Sequence, residues 1–117
     1  MGTQDDEFSC PQSRFAGLPD LEMEKAQKEG KLKLVAHGEK VGYTIFESND
    51  QKQLMHLGHP EYTVDRIISE IERDKEKGDV PPPENFDINS SKTAWRSHRN
   101  LLFQQWLWFC YQKVSLN

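Results

Sequence analysis

The feature that most constrains this chain is its last apolar tract, which runs from Trp95 to Val114. All three tryptophans (Trp95, Trp106, Trp108) and two of the six phenylalanines (Phe103, Phe109) fall within it. At helical spacing, Trp95, Leu102, Trp106 and Phe109 share one stripe, and Leu101, Trp108 and Tyr111 widen it toward the other side. A helix with so broad an apolar surface is buried on more than one side. The rest of the chain offers little to bury it against, because only 35% of the 117 residues are hydrophobic, lower than is usual for a compact domain. The tract therefore predicts a helix that packs on a sheet and also needs further protein surface, from another subunit or from additional chain.

Length and charge narrow the classes. One small domain is the most that 117 residues allow. A net charge of −4 and a pI of about 5.5 argue against a nucleic-acid partner. No apolar run is long enough for a membrane span. The start, Met1-Gly2-Thr3-Gln4-Asp5-Asp6, is acidic with no apolar core behind it, unlike a signal peptide. The expected location is the cytoplasm. Cys10 and Cys110 are the only cysteines and are read as reduced thiols, Cys110 as a small buried hydrophobe in the terminal helix.

Ahead of that helix the punctuation is legible. Residues 9–20 hold two prolines and a glycine and read as irregular backbone. Within them, Ser13 and Arg14 beside Phe15 form either a binding loop or a plain surface turn. Asp20 is the expected cap of a short solvated helix over residues 21–29, ended by Gly30. Residues 31–36 and 42–48 read as strands, separated by a turn at His37-Gly38-Glu39-Lys40. A second turn at residues 49–52 leads to a third strand over 53–57. Connections this short make the three strands antiparallel. Val64, Ile67, Ile68 and Ile71 mark an amphipathic helix over residues 62–77, with Thr63 as N-cap and Gly78 as its stop. Residues 79–86, with three consecutive prolines, read as a stiff polyproline-like strap. Ser90, Ser91 or Thr93 is the expected cap of the terminal helix.

Between the third strand and the amphipathic helix lies Leu57-Gly58-His59-Pro60-Glu61-Tyr62. His59 and Glu61 are two apart and so project to one side of an extended segment, while Pro60 restricts the backbone between them. An imidazole with a carboxylate beside it is the pattern of a general base and its orienter, serving a Ser or Cys nucleophile. A chance tripeptide is the competing reading. A metal site from His56, His59 and Glu61 is disfavoured, because His56 and His59 face opposite sides of a strand. No metal and no cofactor are expected.

Three stretches together resemble the homoserine O-succinyltransferase (homoserine transsuccinylase) family, whose fold is related to class I glutamine amidotransferases. They are Cys10-Pro11-Gln12-Ser13-Arg14-Phe15, Gly58-His59-Pro60-Glu61-Tyr62 and Ala94-Trp95-Arg96-Ser97-His98-Arg99-Asn100-Leu101-Leu102-Phe103. The resemblance implies an α/β chain: the C-terminal portion of a flavodoxin-like, class I glutamine amidotransferase-like three-layer sandwich. It would have three short strands, an amphipathic helix and a long apolar C-terminal helix, with residues 1–117 forming the C-terminal part of one acyltransferase domain. By position, the resemblance implies His59 as general base, Glu61 as catalytic carboxylate, and Ser13 and Arg73 as binders of the amino-acid substrate. Gln12 stands where histidine is common in the family.

The implied reaction is acyl transfer from succinyl- or acetyl-CoA to the hydroxyl of L-homoserine, in methionine biosynthesis, through an acyl-cysteine. Acyl-CoA is then a co-substrate and no cofactor is implied. The family's nucleophile sits on a strand-turn-helix elbow that this chain lacks: Cys10 is flanked by Ser9 and Pro11, and Cys110 lies on the apolar helix. The isolated chain is therefore expected to be inactive, and a homodimer or association with a missing N-terminal half is expected. Serine O-acetyltransfer on the same scaffold, a non-catalytic interaction module and a glutaminase-type amidotransferase fragment are the alternatives.

Overall fold

Three strands in the order β1-β2-β3 build an antiparallel sheet. β1 (Leu32–Gly38), β2 (Gly42–Ser48) and β3 (Leu54–His56) follow one another through tight turns. The structure is a computed structural model, and it describes residues 5–14, 17–78, 80–83, 86–87, 89 and 92–115. The described residues also form three helices, α1 (Asp20–Lys28), α2 (Val64–Lys77) and α3 (Arg96–Ser115). The chain divides into two compact units: Pro11–His59, which holds α1 and the sheet, and Met1–Cys10 with Pro60–Asn117, which holds α2 and α3.

In the sheet unit, β2 is central because its run Tyr43-Thr44-Ile45-Phe46 is aromatic and β-branched. Thr44, Ile45, Phe46 and Glu47 are all buried. Ile45 pairs with Ala36 on one side and with His56 on the other. The first hairpin differs from the sequence expectation. His37 and Gly38 are not in the turn but belong to β1, paired with Tyr43 and Gly42. The register is irregular between Leu34 and Ala36 and between Ala36 and His37, which bends the strand locally.

α1 also differs. It begins at Asp20, its N-cap is Pro19, and no side chain caps it. The Asp20 carboxylate instead takes a hydrogen bond from His37 Nε2 at 2.7 Å. Tyr43 donates to Glu24 Oε1 at 3.0 Å, and that carboxylate holds the phenol pKa above its ordinary value. The helix is thus not merely solvated: it lies against β1 and β2 and buries Met23. Gly42 has φ +75°, and a Cβ there would sit 2.8 Å from Asp20 Oδ1, so this corner requires glycine.

In the helical unit, α2 has the expected cap and stop, although it starts at Val64 instead of residue 62. Thr63 Oγ1 accepts from the Arg66 amide at 3.2 Å, and Gly78 closes the helix in the left-handed conformation with φ 75°. No residue of α2 is fully buried. α3 starts at Arg96. The Trp95 carbonyl takes the amide of Arg99 at 2.9 Å, which puts Trp95 at the cap position instead of Thr93; Ser90 and Ser91 lie outside the described residues. Within the strap, Pro81–Pro83 carry no helix or strand, while Asp79, Glu84 and Asn85 lie outside the described residues.

α3 is long but is not an apolar helix as expected. Arg96, Arg99, Asn100, Gln104, Gln112 and Lys113 interrupt it, and among the described residues no helix is long and apolar enough to cross a membrane. Trp95 and Leu102 are buried, whereas Leu107, Trp108 and Tyr111 are exposed. Cys110 is half-buried rather than sealed in a core, and no disulfide joins it to Cys10.

Candidate functional site

The chain leaving β3 is pinned at three successive residues. Leu57 donates its amide to the Thr44 carbonyl at 2.8 Å, extending the pairing with β2 one step past the strand. The Gly58 amide donates to His56 Nδ1 at 3.1 Å, so a neutral His56 carries its proton on Nε2. The His59 amide then donates to the Pro11 carbonyl at 2.8 Å. That last bond brings the irregular segment 11–14, with Ser13 and Arg14, to the end of β3. His59 is half-buried, Gly58 and Pro60 are buried, and Ser13 is exposed.

Segment 11–14 is anchored again by Arg14, whose Nη2 donates to the Val41 carbonyl. Gln12 Oε1 and Arg14 Nη1 are buried without hydrogen-bond partners. No sequence pattern announces that burial, because polar residues between prolines ordinarily stay in water.

His59 closes the sheet unit and Pro60 opens the helical one, so the two members of the expected pair, His59 and Glu61, fall in different units. Glu61 is exposed at the turn into α2. Its neighbour Tyr62 is held from three directions. Trp95 Nε1 donates to the Tyr62 carbonyl at 2.7 Å. The Tyr62 hydroxyl donates to Glu70 Oε1 at 2.8 Å. Arg66 lies over its ring at 5.6 Å and pairs with Glu70 at 3.4 Å. The Arg66–Glu70 pair is legible as a four-residue helical spacing. The links from Trp95 and Tyr62 span longer separations and have no sequence signature. Arg73, in the last turns of α2, is exposed, with its Nε donating to Asp74 Oδ1 at 3.1 Å.

His59 is thus half-buried at a strand end, with the loop that carries Ser13 and Arg14 hydrogen-bonded beside it. The family model for homoserine O-succinyltransferase matches residues 1–116. The chain belongs to that family. A homoserine O-succinyltransferase of Proteus mirabilis is 38% identical over 115 residues, covering 92% of this chain and 36% of that protein. A homoserine O-acetyltransferase of Geobacillus sp. is 39% identical over 117 residues, covering 94% and 38%. One from Clostridium botulinum is 35% identical, covering 94% and 37%. Family members of both names thus match to a similar degree. The chain spans little more than a third of the length of these relatives.

Proposed function

We propose that this chain supplies the base and the acceptor-binding side of a homoserine O-acyltransferase acting in methionine biosynthesis, in the cytoplasm. The acyl donor is succinyl- or acetyl-CoA. In this reading His59 is the general base, Glu61 the carboxylate that orients it and stabilises its charged form, and Ser13 and Arg73 the contacts to homoserine. A cysteine thiolate attacks the thioester carbonyl, the bond to CoA sulfur breaks, and CoA leaves. His59 then takes the proton of the homoserine hydroxyl as its oxygen attacks the acyl-cysteine. The bond to the cysteine breaks, and the proton passes to the departing thiolate.

The thiol in this scheme is assigned to protein beyond this chain. Cys10 lies in irregular backbone and Cys110 on α3, and neither sits at the strand-to-helix elbow on which such nucleophiles are activated. The sheet and helices are read as the C-terminal portion of a flavodoxin-like, class I glutamine amidotransferase-like sandwich, completed by an N-terminal part or by a second copy.

The observation that carries the reading is the family match over residues 1–116. The hydrogen bond from the His59 amide to Pro11 supports it by holding the Ser13 segment at the base. The test replaces the matching C-terminal part of the Proteus mirabilis relative with this chain and assays acyl transfer to L-homoserine. Turnover is expected in the chimera and not in the isolated chain. His59→Ala or Glu61→Gln should lower it roughly 10²- to 10⁴-fold. A chimera indifferent to both substitutions overturns the roles, and robust turnover by the chain alone overturns the division of labour.

A further inference from the structure

A glutamate at the surface samples several rotamers, and a loose turn beneath it multiplies them. Glu61 is exposed where the chain enters α2. A carboxylate that must orient another side chain has to be held within about 0.5 Å of its working position. With the side chain in water, that precision has to come from the backbone. The backbone of Glu61 is restrained from both sides. Before it stands Pro60, which is buried and whose ring fixes φ. After it stands Tyr62, about 3.8 Å away from Cα to Cα.

Tyr62 is gripped at both ends. Its carbonyl accepts the Trp95 Nε1–H at 2.7 Å, and its hydroxyl donates to Glu70 Oε1 at 2.8 Å. Trp95 is buried at the start of α3, and the Glu70 side chain, midway along α2, is only 13% exposed. The turn is thereby bracketed by two helices of the same unit. A water molecule would satisfy the Tyr62 carbonyl equally well, but it would not fix where that carbonyl points. An indole has a single donor on a rigid ring, so a buried one sets the direction.

We propose that Trp95 is a positioning residue for Glu61, acting through the Tyr62 carbonyl, with the Tyr62 hydroxyl as the second fixed point. The proposal rests on reading Glu61 as the carboxylate that orients the base. It adds no contact to substrate and leaves Ser13 and Arg73 as the contacts to homoserine.

The first measurement is kinetic, on the chimera that carries this chain, at a temperature where every variant is folded. Trp95→Phe keeps an aromatic ring and removes the donor. It should lower kcat roughly 10- to 10²-fold and leave KM for L-homoserine within about twofold. In a Glu61→Gln background the same substitution should change kcat by less than about twofold, because the group it positions is already gone. Leu102→Ala removes buried packing from α3 without touching the bond. It should lower stability and leave kcat within about twofold. Equal losses from Trp95→Phe with and without Glu61 overturn the proposal. A loss from Leu102→Ala as large as that from Trp95→Phe does the same. Where Trp95→Phe disturbs folding, Tyr62→Phe removes the second fixed point and decides by the same cycle.

The second measurement needs no turnover. NMR relaxation of the isolated chain should give backbone order parameters of about 0.85 at Glu61 and Tyr62, lower by about 0.1 or more in Trp95→Phe. Equal values in the two chains overturn the clamp. The two readings fail separately. An inactive chimera whose turn loosens in Trp95→Phe sinks the acyltransferase reading and leaves the clamp standing. An active chimera indifferent to Trp95→Phe sinks the positioning role alone.

Discussion

The indole of Trp95 donates its Nε1–H to the backbone carbonyl of Tyr62 at 2.7 Å, joining the start of α3 to the turn that carries Glu61. Trp95 is only 6% exposed, so no water stands ready to replace the lost donor. Trp95→Phe keeps an aromatic ring and removes the N–H. It should destabilise the chain by about 1–2 kcal/mol, measured by urea unfolding. An unchanged midpoint would mean that the bond contributes nothing.

Gly42 and Gly78 share φ +75° but not surroundings. A Cβ at Gly42 meets Asp20 Oδ1 at 2.8 Å, whereas one at Gly78 has nothing within 4 Å. Gly78→Ala bears only the backbone strain, on the order of 1 kcal/mol. Gly42→Ala bears the same strain and also displaces the carboxylate bound to His37, for a total of about 2–3 kcal/mol. Thermal melts of the two variants should rank them in that order.

His98 is buried and stacked on Phe8, with ring centroids 3.8 Å apart. Burial pushes its pKa below the ordinary 6.5, with the charge of Asp5 opposing the shift. The unfolded chain therefore takes up this proton before the folded one does. The contribution of His98 to stability is complete above the unfolded pKa and is lost as pH falls below it. Unfolding free energy should decline from pH 7 toward about pH 5, and His98→Gln should flatten that slope. An equal slope in the variant would place the dependence elsewhere.

The two faces of α3 should respond differently to truncation. Leu102 is 3% exposed and Leu107 67% exposed. Leu102→Ala should cost about 2–5 kcal/mol, while Leu107→Ala should stay within about 0.5 kcal/mol. If Leu107→Ala lowers stability as much as Leu102→Ala, and does so only at high protein concentration, α3 is an interface between copies in solution.

Local chemistry was readable from the residues alone. Thr63 and Gly78 bound α2 because a hydroxyl cap and a left-handed glycine act within one helical turn. The antiparallel order of β1, β2 and β3 followed from turns too short for a crossover. The motifs around Ser13, His59 and Trp95 carried the family, because their order and chemistry survive in one dimension. The misread elements depended on partners distant in the chain. Asp20 looked like a cap until His37 claimed its carboxylate, and His37 looked like a turn residue until Tyr43 paired with it.

The sequence by itself determined the caps of α2, the strand order and the family, since each depends on neighbours a few residues away or on motif order. Only the tertiary structure decided that Pro11 meets His59, that Trp95 holds Tyr62, and that Gln12 and Arg14 bury polar atoms with nothing to answer them. Those are long-range hydrogen bonds and desolvation. Both depend on where the backbone folds back, and no pattern of residue types encodes that locally.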